Sequence, residues 1–340
     1  MEVAVSMIID AYQHLGLPRF QSPEDALAVM DRASITRAMV CPFETCPDLA
    51  AVHHVFTAAP DRFLGLGIPL GRDRREVEAF VAAQLRAGFA GLRLSASDVR
   101  DSPWLLDQIG EADGIALICG GDAGLADGAR TLLRFLEEYP RALAIGGHFA
   151  GPTDPAIFGA RPTVADLFAH DRFFAIFSRQ TLFEPATLTS WARELIDRVG
   201  WHRIMWGSEA PVLYWRDESL ADAIGWVERF NPTDEQRTAF LGGTAQRVLF
   251  DRPRPAAGDL VLPADPFDLT VVRPAAMWPH GLDLDDALAG RLVHAWLTQP
   301  GTQRGTLGKY LAGLLDAALP AVRTSGLDGA RTAGAVTPPP

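Results

Sequence analysis

The chain has 340 residues, of which 48% are hydrophobic and 21% are charged, and its formal net charge is −11. This composition is that of a globular protein with a large core, and the acidic balance argues against nucleic acid or a membrane as a partner, since both need a basic face. Three cysteines (Cys41, Cys46 and Cys119), no basic leader and no apolar run of 18 residues predict a cytoplasmic protein without disulfides or a transmembrane helix.

Eight short apolar runs have the pattern of buried β-strands. In chain order the predicted strands are Met7–Ala11, Arg37–Cys41, Phe63–Pro69, Gly91–Ser95, Ile115–Cys119, Leu143–His148, Phe173–Phe177 and Arg203–Gly207. The predicted helices between them are Pro23–Ala33, Arg74–Ala87, Ala129–Tyr139, Thr187–Val199 and Thr233–Leu249. Strands that alternate with helices pair in parallel through right-handed crossovers. Eight such strands predict an α/β fold, a (β/α)8 TIM barrel over residues 1–250, with a doubly wound open sheet as the alternative.

The composition changes after Phe250. Residues 251–266 are rich in Pro, Gly and Ala, which is typical of a linker. Two apolar stripes with helical spacing follow, the first at Leu284, Leu288, Leu292 and Trp296 and the second at Leu307, Leu311, Leu314 and Leu315. Residues 251–325 are therefore predicted to form a linker plus a helical C-terminal extension, and residues 326–340 a disordered tail. The extension could cap the barrel, form a homodimer or bind a partner protein.

Polar residues stand at the predicted C-terminal strand ends, where barrels of this type build their active sites. They are Asp10, Tyr12 and His14 on the first strand, Arg93 and Ser95 on the fourth, Cys119 and Asp122 at the fifth, His148 at the sixth, Ser178 and Arg179 at the seventh, and Glu209 at the eighth. Because parallel strands end at the same edge, we expect the side chains of Tyr12, His14, Arg93, His148 and Glu209 to converge on one cavity.

Five segments occur in order and at regular spacing: "IIDAYQHLG" (8–16), "GFAGLRLSA" (88–96), "AIGGHFAGP" (144–152), "RIMWGSEAP" (203–211) and "LGGTAQRVLF" (241–250). Together they resemble the amidohydrolase-related branch of the amidohydrolase superfamily. The resemblance implies a distorted (β/α)8 barrel that hydrolyses C–N or ester bonds, or that decarboxylates aromatic acids.

The resemblance also implies a divalent metal, usually zinc, but this sequence departs from the family's ligand pattern. His14 matches the second histidine of the first-strand HxH pair, whereas Tyr12 stands at the first. Cys119 and Gly120 stand where a fifth-strand histidine is expected, and Glu209 replaces the family's aspartate. Zinc needs three or four N, S or O donors, so a zinc site would have to use His14, Cys119 and Glu209. We therefore expect no tightly bound metal, with zinc as the alternative cofactor.

The resemblance also extends to the pyrone-dicarboxylate lactonases of the same superfamily, which work without a metal and use arginines to hold substrate carboxylates. His148, which matches the family's sixth-strand histidine, and Glu209 would then form an acid–base pair. Tyr12 would donate a hydrogen bond to a developing oxyanion, and His14 is a further catalytic candidate.

Substrate binding is expected to involve arginines and aromatic rings. Arg93 or Arg179 would hold a substrate carboxylate in a bidentate fork. Tyr214, with Trp206 and Trp215 on the same loop, would either stack on a planar substrate or seal the barrel top against the C-terminal helices.

The sequence thus predicts a hydrolase of a C–N, ester or lactone bond, or a lyase, for a small carboxylate-bearing molecule of specialised metabolism. One alternative is a catalytically inactive barrel that acts as a scaffold or partner subunit. The other is a zinc-dependent hydrolase or decarboxylase with unusual ligands.

Overall fold

The computed structural model describes residues 7–17, 19–119, 125–216, 218–254 and 256–269, together with seven further residues from 292 to 317. Within these residues the chain has eight β-strands. They are β1 (Ile8–His14), β2 (Ile35–Cys41), β3 (Phe63–Gly65), β4 (Gly91–Ser95), β5 (Ile115–Cys119), β6 (Leu143–Gly146), β7 (Phe173–Phe177) and β8 (Ile204–Trp206). All eight predicted strands are confirmed. The first continues through Tyr12 to His14, beyond its predicted end, and the third and sixth end early.

The strands pair in parallel as two sheets, β1-β2-β3 and β4-β5-β6-β7-β8. Two seams, each with one isolated parallel bridge, join the sheets: Gly67 with Leu92 at the β3–β4 seam, and Gln13 with Ala210 at the β8–β1 seam. The strands therefore follow one another around a (β/α)8 TIM barrel, as predicted, and the doubly wound alternative is wrong.

Helices cover the outside of the strands. They are α1 (Pro23–Arg32), α2 (Leu49–Ala58), α3 (Arg74–Arg86), α4 (Ala96–Asp101), α5 (Trp104–Glu111), α6 (Ala129–Glu138), α7 (Ile157–Ala160), α8 (Pro162–Ala169), α9 (Pro185–Val199), α10 (Leu220–Gly225), α11 (Asp234–Thr238) and α12 (Pro266–Leu269). The first begins where Ser22 accepts a hydrogen bond from the Asp25 N–H, and α11 has a capping box between Thr233 and Gln236, so local sequence determines both starts.

Two apolar layers leave only the strand ends for polar chemistry. Inside the ring, side chains such as Ile9, Leu117, Ile145 and Ile176 form one buried cluster. Between strands and helices, a larger cluster contains aromatic residues such as Trp191. Because apolar side chains fill most of the interior, the polar groups available to a ligand are expected at the barrel mouth.

The chain beyond the barrel packs on its outer surface as far as the structure describes it. The Arg254 side chain donates to the Pro60 carbonyl, the His53 ring bonds the Gly258 carbonyl, and Leu260 packs on the outer core. Most of the two predicted leucine-rich helices, and residues 326–340, lie outside the described residues. Among the residues that the structure describes, no helix is long and apolar enough to cross a membrane.

Candidate active site

A cavity of about 570 Å³ opens at the C-terminal ends of the strands. Its lining includes five residues singled out in the sequence: Arg93, Ser95, Cys119, His148 and Arg179. Phe43 and Phe183 add aromatic surface, and Glu44 adds a carboxylate. Tyr12, His14 and Glu209 are almost fully buried, with 1%, 2% and 1% exposure. They do not line the cavity but contact the residues that do.

Three of these side chains stand on left-handed backbone at successive strand ends. The φ angle is 51° at His148 after β6, 67° at Arg179 after β7 and 58° at Glu209 after β8. A non-glycine residue in this region costs about 1 kcal/mol or more. The surrounding packing must supply that energy, as the hydrogen bond from the Trp191 indole N–H to the Phe149 carbonyl (2.8 Å) does beside His148.

His148 is a buried histidine that lines the cavity. Its Nδ1 lies 3.0 Å from the Ser178 hydroxyl, and its Nε2 lies 3.6 Å from Glu209 Oε1. Burial lowers the pKa of His148 well below its ordinary value, and the positive charges of Arg179 and Arg93 lower it further. The imidazole is therefore neutral at pH 7 and able to accept a proton.

Arg93 presents a guanidinium to the cavity. Its Nε donates to the Tyr12 hydroxyl oxygen at 3.1 Å, and its charged group lies 4.5 Å from the Phe43 ring centre. Among the described residues no carboxylate lies within ion-pair distance of it; Asp122 lies outside them. Burial raises the pKa of Tyr12 well above 10, although Arg93 opposes that shift. Tyr12 is thus a neutral phenol, and the Cys119 thiol also donates to its oxygen at 3.5 Å.

Glu209 is held between two arginines. Arg179 Nε donates to its Oε2 at 3.0 Å, and Arg216 Nη1 donates to the same oxygen at 2.8 Å. Oε1 lies 2.8 Å from Arg179 Nη2 but makes no well-aligned hydrogen bond with it. Arg216 also pairs with Glu218 at 3.4 Å. Sequence reasoning missed Arg216, although its place on the loop after the eighth strand was a signal.

The His14 side chain is buried against its neighbours and does not line the cavity. Its ring stacks on Phe20 with centroids 4.6 Å apart, and its Nδ1 lies 3.2 Å from the Cys41 carbonyl oxygen. A carbonyl accepts only from a protonated nitrogen, so Nδ1 carries the proton. Burial, with Arg93 nearby, lowers the pKa of His14 well below its ordinary value.

The aromatic loop residues occupy different environments. Trp206 is 1% exposed and belongs to the outer core, so it does not face the cavity. Tyr214 is 42% exposed and is not part of the cavity lining. The side chain of Trp215 lies outside the described residues.

The side chains at the family's metal positions do not match zinc. The Tyr12 oxygen lies against the Arg93 guanidinium, and two more guanidiniums engage the Glu209 carboxylate. A divalent cation placed among them would be repelled by three positive charges. Within the described part of the chain, no group of three His, Cys, Asp or Glu side chains has a metal-binding arrangement.

A (β/α)8 barrel with a polar cavity at the carboxyl ends of its strands has the layout of a barrel enzyme. The family model described as amidohydrolase matches residues 8–250, and the chain belongs to this family. No curated protein matches the chain significantly.

Solved structures of similar fold include three amidohydrolase-family proteins. A probable 2-pyrone-4,6-dicarboxylic acid hydrolase from Acinetobacter baumannii, with citric acid bound, is 15% identical; it covers 71% of this chain and 98% of its own, with a TM-score of 0.56. A zinc-bound amidohydrolase from Burkholderia multivorans is 14% identical, with coverage of 71% and 98% and a TM-score of 0.51. A 5-carboxyvanillate decarboxylase from Sphingomonas paucimobilis is 15% identical, with coverage of 72% and 98% and a TM-score of 0.50. These likenesses establish the fold.

Proposed function

We propose that this chain hydrolyses an activated ester or lactone bond in a small carboxylate-bearing organic molecule, without a tightly bound metal. The observation that carries the proposal is the Arg93 guanidinium, which faces the cavity beside the neutral His148 and has no carboxylate partner among the described residues. A half-buried cation without a counter-ion favours an anionic ligand. A binding site for a carboxylate thus lies beside a proton acceptor.

The proposed reaction uses His148 as general base. His148 removes a proton from water, whose oxygen attacks the carbonyl carbon; the C–O bond to the leaving oxygen then breaks, and the imidazolium returns the proton to that oxygen. Arg93 binds the substrate carboxylate, and Arg179 stabilises the developing oxyanion. Glu209 keeps Arg179 in place, and Tyr12 holds Arg93. This chemistry suits an activated ester better than an amide, which needs stronger activation.

Two features favour an enzyme over a scaffold. The cavity of about 570 Å³ has the size of a small-molecule site. Strained backbone at His148, Arg179 and Glu209 is typical of functional positions. Decarboxylation, the activity named for one of the similar structures, is the second reaction to assay, because the same arginines would bind its carboxylate.

The test is a panel of carboxylated lactones, aryl esters and aromatic acids, assayed for hydrolysis and for decarboxylation. His148→Gln should lower turnover by about 10²–10⁴-fold, whereas the exposed His202→Gln should leave it unchanged. Turnover should also persist after treatment with a chelator. Hydrolysis that survives in His148→Gln, or that requires added zinc, would contradict the proposal.

The proposed binding of a substrate carboxylate by Arg93 has a separate test, with citrate as the probe. Arg93→Gln should weaken citrate binding by about 10–100-fold in isothermal titration, the usual value of a charge-assisted hydrogen bond. The exposed Arg100→Gln serves as the matched control, with unchanged binding. Equal affinity in both variants would remove Arg93 from the site.

A further inference from the structure

Asp10 is a fully buried carboxyl that the proposed reaction does not use. Its Oδ1 accepts hydrogen bonds from the backbone N–H groups of Tyr12 (3.1 Å) and Ser208 (2.8 Å). Its Oδ2 accepts from the Gln13 amide (2.9 Å) and from the Ser208 hydroxyl. The four donors come from both sides of the β8–β1 seam, so this one side chain ties the strand end of β8 to β1.

The bonds around Asp10 fix the turn that carries Glu209. The Ser208 hydroxyl oxygen also accepts from the Ala210 N–H at 2.8 Å. The Glu209 N–H donates to the Tyr12 carbonyl, and the Ala210 carbonyl accepts from the His14 N–H, both at 2.8 Å. All three residues of the turn are therefore anchored to β1, and they hold Glu209 at its strained φ of 58°.

We propose that Asp10 is a positioning residue of the active site: through Ser208 it orients Glu209 so that the Glu209 carboxylate holds Arg179 at the cavity. The proposal rests on the proposed function, since it assigns a purpose to the Glu209–Arg179 pair. Asp10 itself is 0% exposed, and within the described part of the chain its hydrogen bonds reach only Tyr12, Gln13 and Ser208, none of which lines the cavity. Its action therefore passes through the turn.

A carboxyl suits this task because it can accept from four donors at one point. Asparagine keeps one carbonyl oxygen for the Tyr12 and Ser208 N–H groups and adds an NH₂ group. Gln13 Oε1 is buried without a hydrogen-bond partner among the described residues. It could accept from that NH₂ group, so Asp10→Asn is a conservative variant that the seam can accommodate.

The experiment compares Asp10→Ala, Ser208→Ala and Asp10→Asn with Gln84→Ala. Gln84 is equally buried and makes three hydrogen bonds to backbone, two to Ile68 beside the other seam and one to Phe80 within α3, so its loss is a matched structural change away from the site. With a substrate from the panel above, Asp10→Ala and Ser208→Ala should lower kcat by about 10–100-fold with KM changed less than about 3-fold, because positioning is lost while Arg93 still binds. Asp10→Asn should stay within about 5-fold of wild type, and Gln84→Ala within about 2-fold.

Crystal structures of the same variants test the inference without any substrate. Glu209 should leave Arg179 in Asp10→Ala and Ser208→Ala and remain paired in Asp10→Asn and Gln84→Ala. If wild type turns over nothing in the panel, the proposed function fails and these structures still decide the role of Asp10. Should Asp10→Ala not fold, Ser208→Ala decides. An unmoved Glu209, or a kcat no lower than that of Gln84→Ala, overturns the inference.

Discussion

The two seams of the barrel are closed by different chemistry. Beside the β3–β4 seam, Gln84 of α3 accepts from the Ile68 N–H at 2.9 Å and donates to the Ile68 carbonyl (2.9 Å) and, within its own helix, to the Phe80 carbonyl (3.1 Å). At the β8–β1 seam, Asp10 accepts four hydrogen bonds and donates none. Both side chains are fully buried. A neutral amide thus ties α3 to the chain after β3 beside one seam, where backbone bonds such as that from the Gly67 N–H to the Gly91 carbonyl (2.9 Å) join the strands. The seam beside the site uses an ionisable carboxyl.

This difference shows what a seam alone requires. A gap in the ladder exposes backbone groups of both polarities, and an amide satisfies donors and acceptors without a charge. A buried carboxyl is more expensive, because its ionised form loses hydration. The gain at the β8–β1 seam is that several donors converge on one point and fix the turn of Glu209. Three predictions test this comparison.

The largest effect is expected from deleting each seam side chain. Asp10→Ala leaves hydrogen-bond donors on both sides of its seam without an acceptor. Each buried donor left unsatisfied costs about 1–3 kcal/mol of stability. We expect it to lower the free energy of unfolding by about 3–5 kcal/mol and Gln84→Ala by about 2–4 kcal/mol. Urea unfolding at pH 7 measures both. If Asp10→Ala lowered the free energy of unfolding clearly less than Gln84→Ala, the carboxyl would not be the more stabilising of the two side chains.

The second prediction concerns pH. Burial raises the pKa of Asp10 from 3.8 to about 6, although the hydrogen bonds from Ser208, Gln13 and Tyr12 oppose the shift. Because the folded-state pKa is the higher one, the folded state binds this proton more tightly. Its stabilising contribution is complete below about pH 4 and is lost as pH rises through 6. A shift of roughly two units corresponds to about 3 kcal/mol.

His14 and His148 act in the opposite direction, since their lowered pKa values remove stability as pH falls below 6.5. The measurement is therefore the difference in unfolding free energy between wild type and Asp10→Asn from pH 4.5 to 7.5. Relative to the variant, wild type should lose stability as pH rises. A flat difference would show that the four hydrogen bonds fully offset the cost of burying the Asp10 charge, so that its pKa is the same in the folded and unfolded states.

Much of the fold could be predicted from the local pattern of apolar and polar residues. The predicted bounds of Gly91–Ser95, Ile115–Cys119 and Phe173–Phe177 match β4, β5 and β7. The last two are continuous buried apolar runs, and the first alternates buried leucines with half-buried Arg93 and Ser95. The helix α5 was missed, since it is short and no side chain caps its start at Pro103. The predicted end of the third strand was too late, because the chain leaves the ladder at the β3–β4 seam.

Less of the candidate site could be predicted from the sequence. Strand-end position brought Arg93, His148 and Arg179 together, as the barrel rule anticipates. The burial of Tyr12 and Glu209 beneath them, and the bond between Asp10 and Ser208 across 198 positions, depend on how the ring closes. The alternation of side chains along β1 does not show that Asp10 has a hydrogen-bond partner after β8. The catalytic roles remain predictions.

The smallest effect concerns the glycine that each seam uses for close approach. A Cβ at Gly67 would overlap the Gln84 amide, and one at Gly207 would lie 2.7 Å from Ile176 Cγ2 and 2.9 Å from Tyr12 Cβ. Neither glycine has a positive φ, so alanine tests space rather than backbone freedom. Each substitution should cost about 1–3 kcal/mol in urea unfolding, whereas Gly225→Ala, with open space around its Cβ, should be neutral or stabilising. The glutamine has rotatable bonds with which to withdraw, but Tyr12 Cβ is fixed to the β1 backbone. We therefore expect Gly207→Ala to cost more than Gly67→Ala, and the reverse order would show that the β8–β1 seam is the softer of the two.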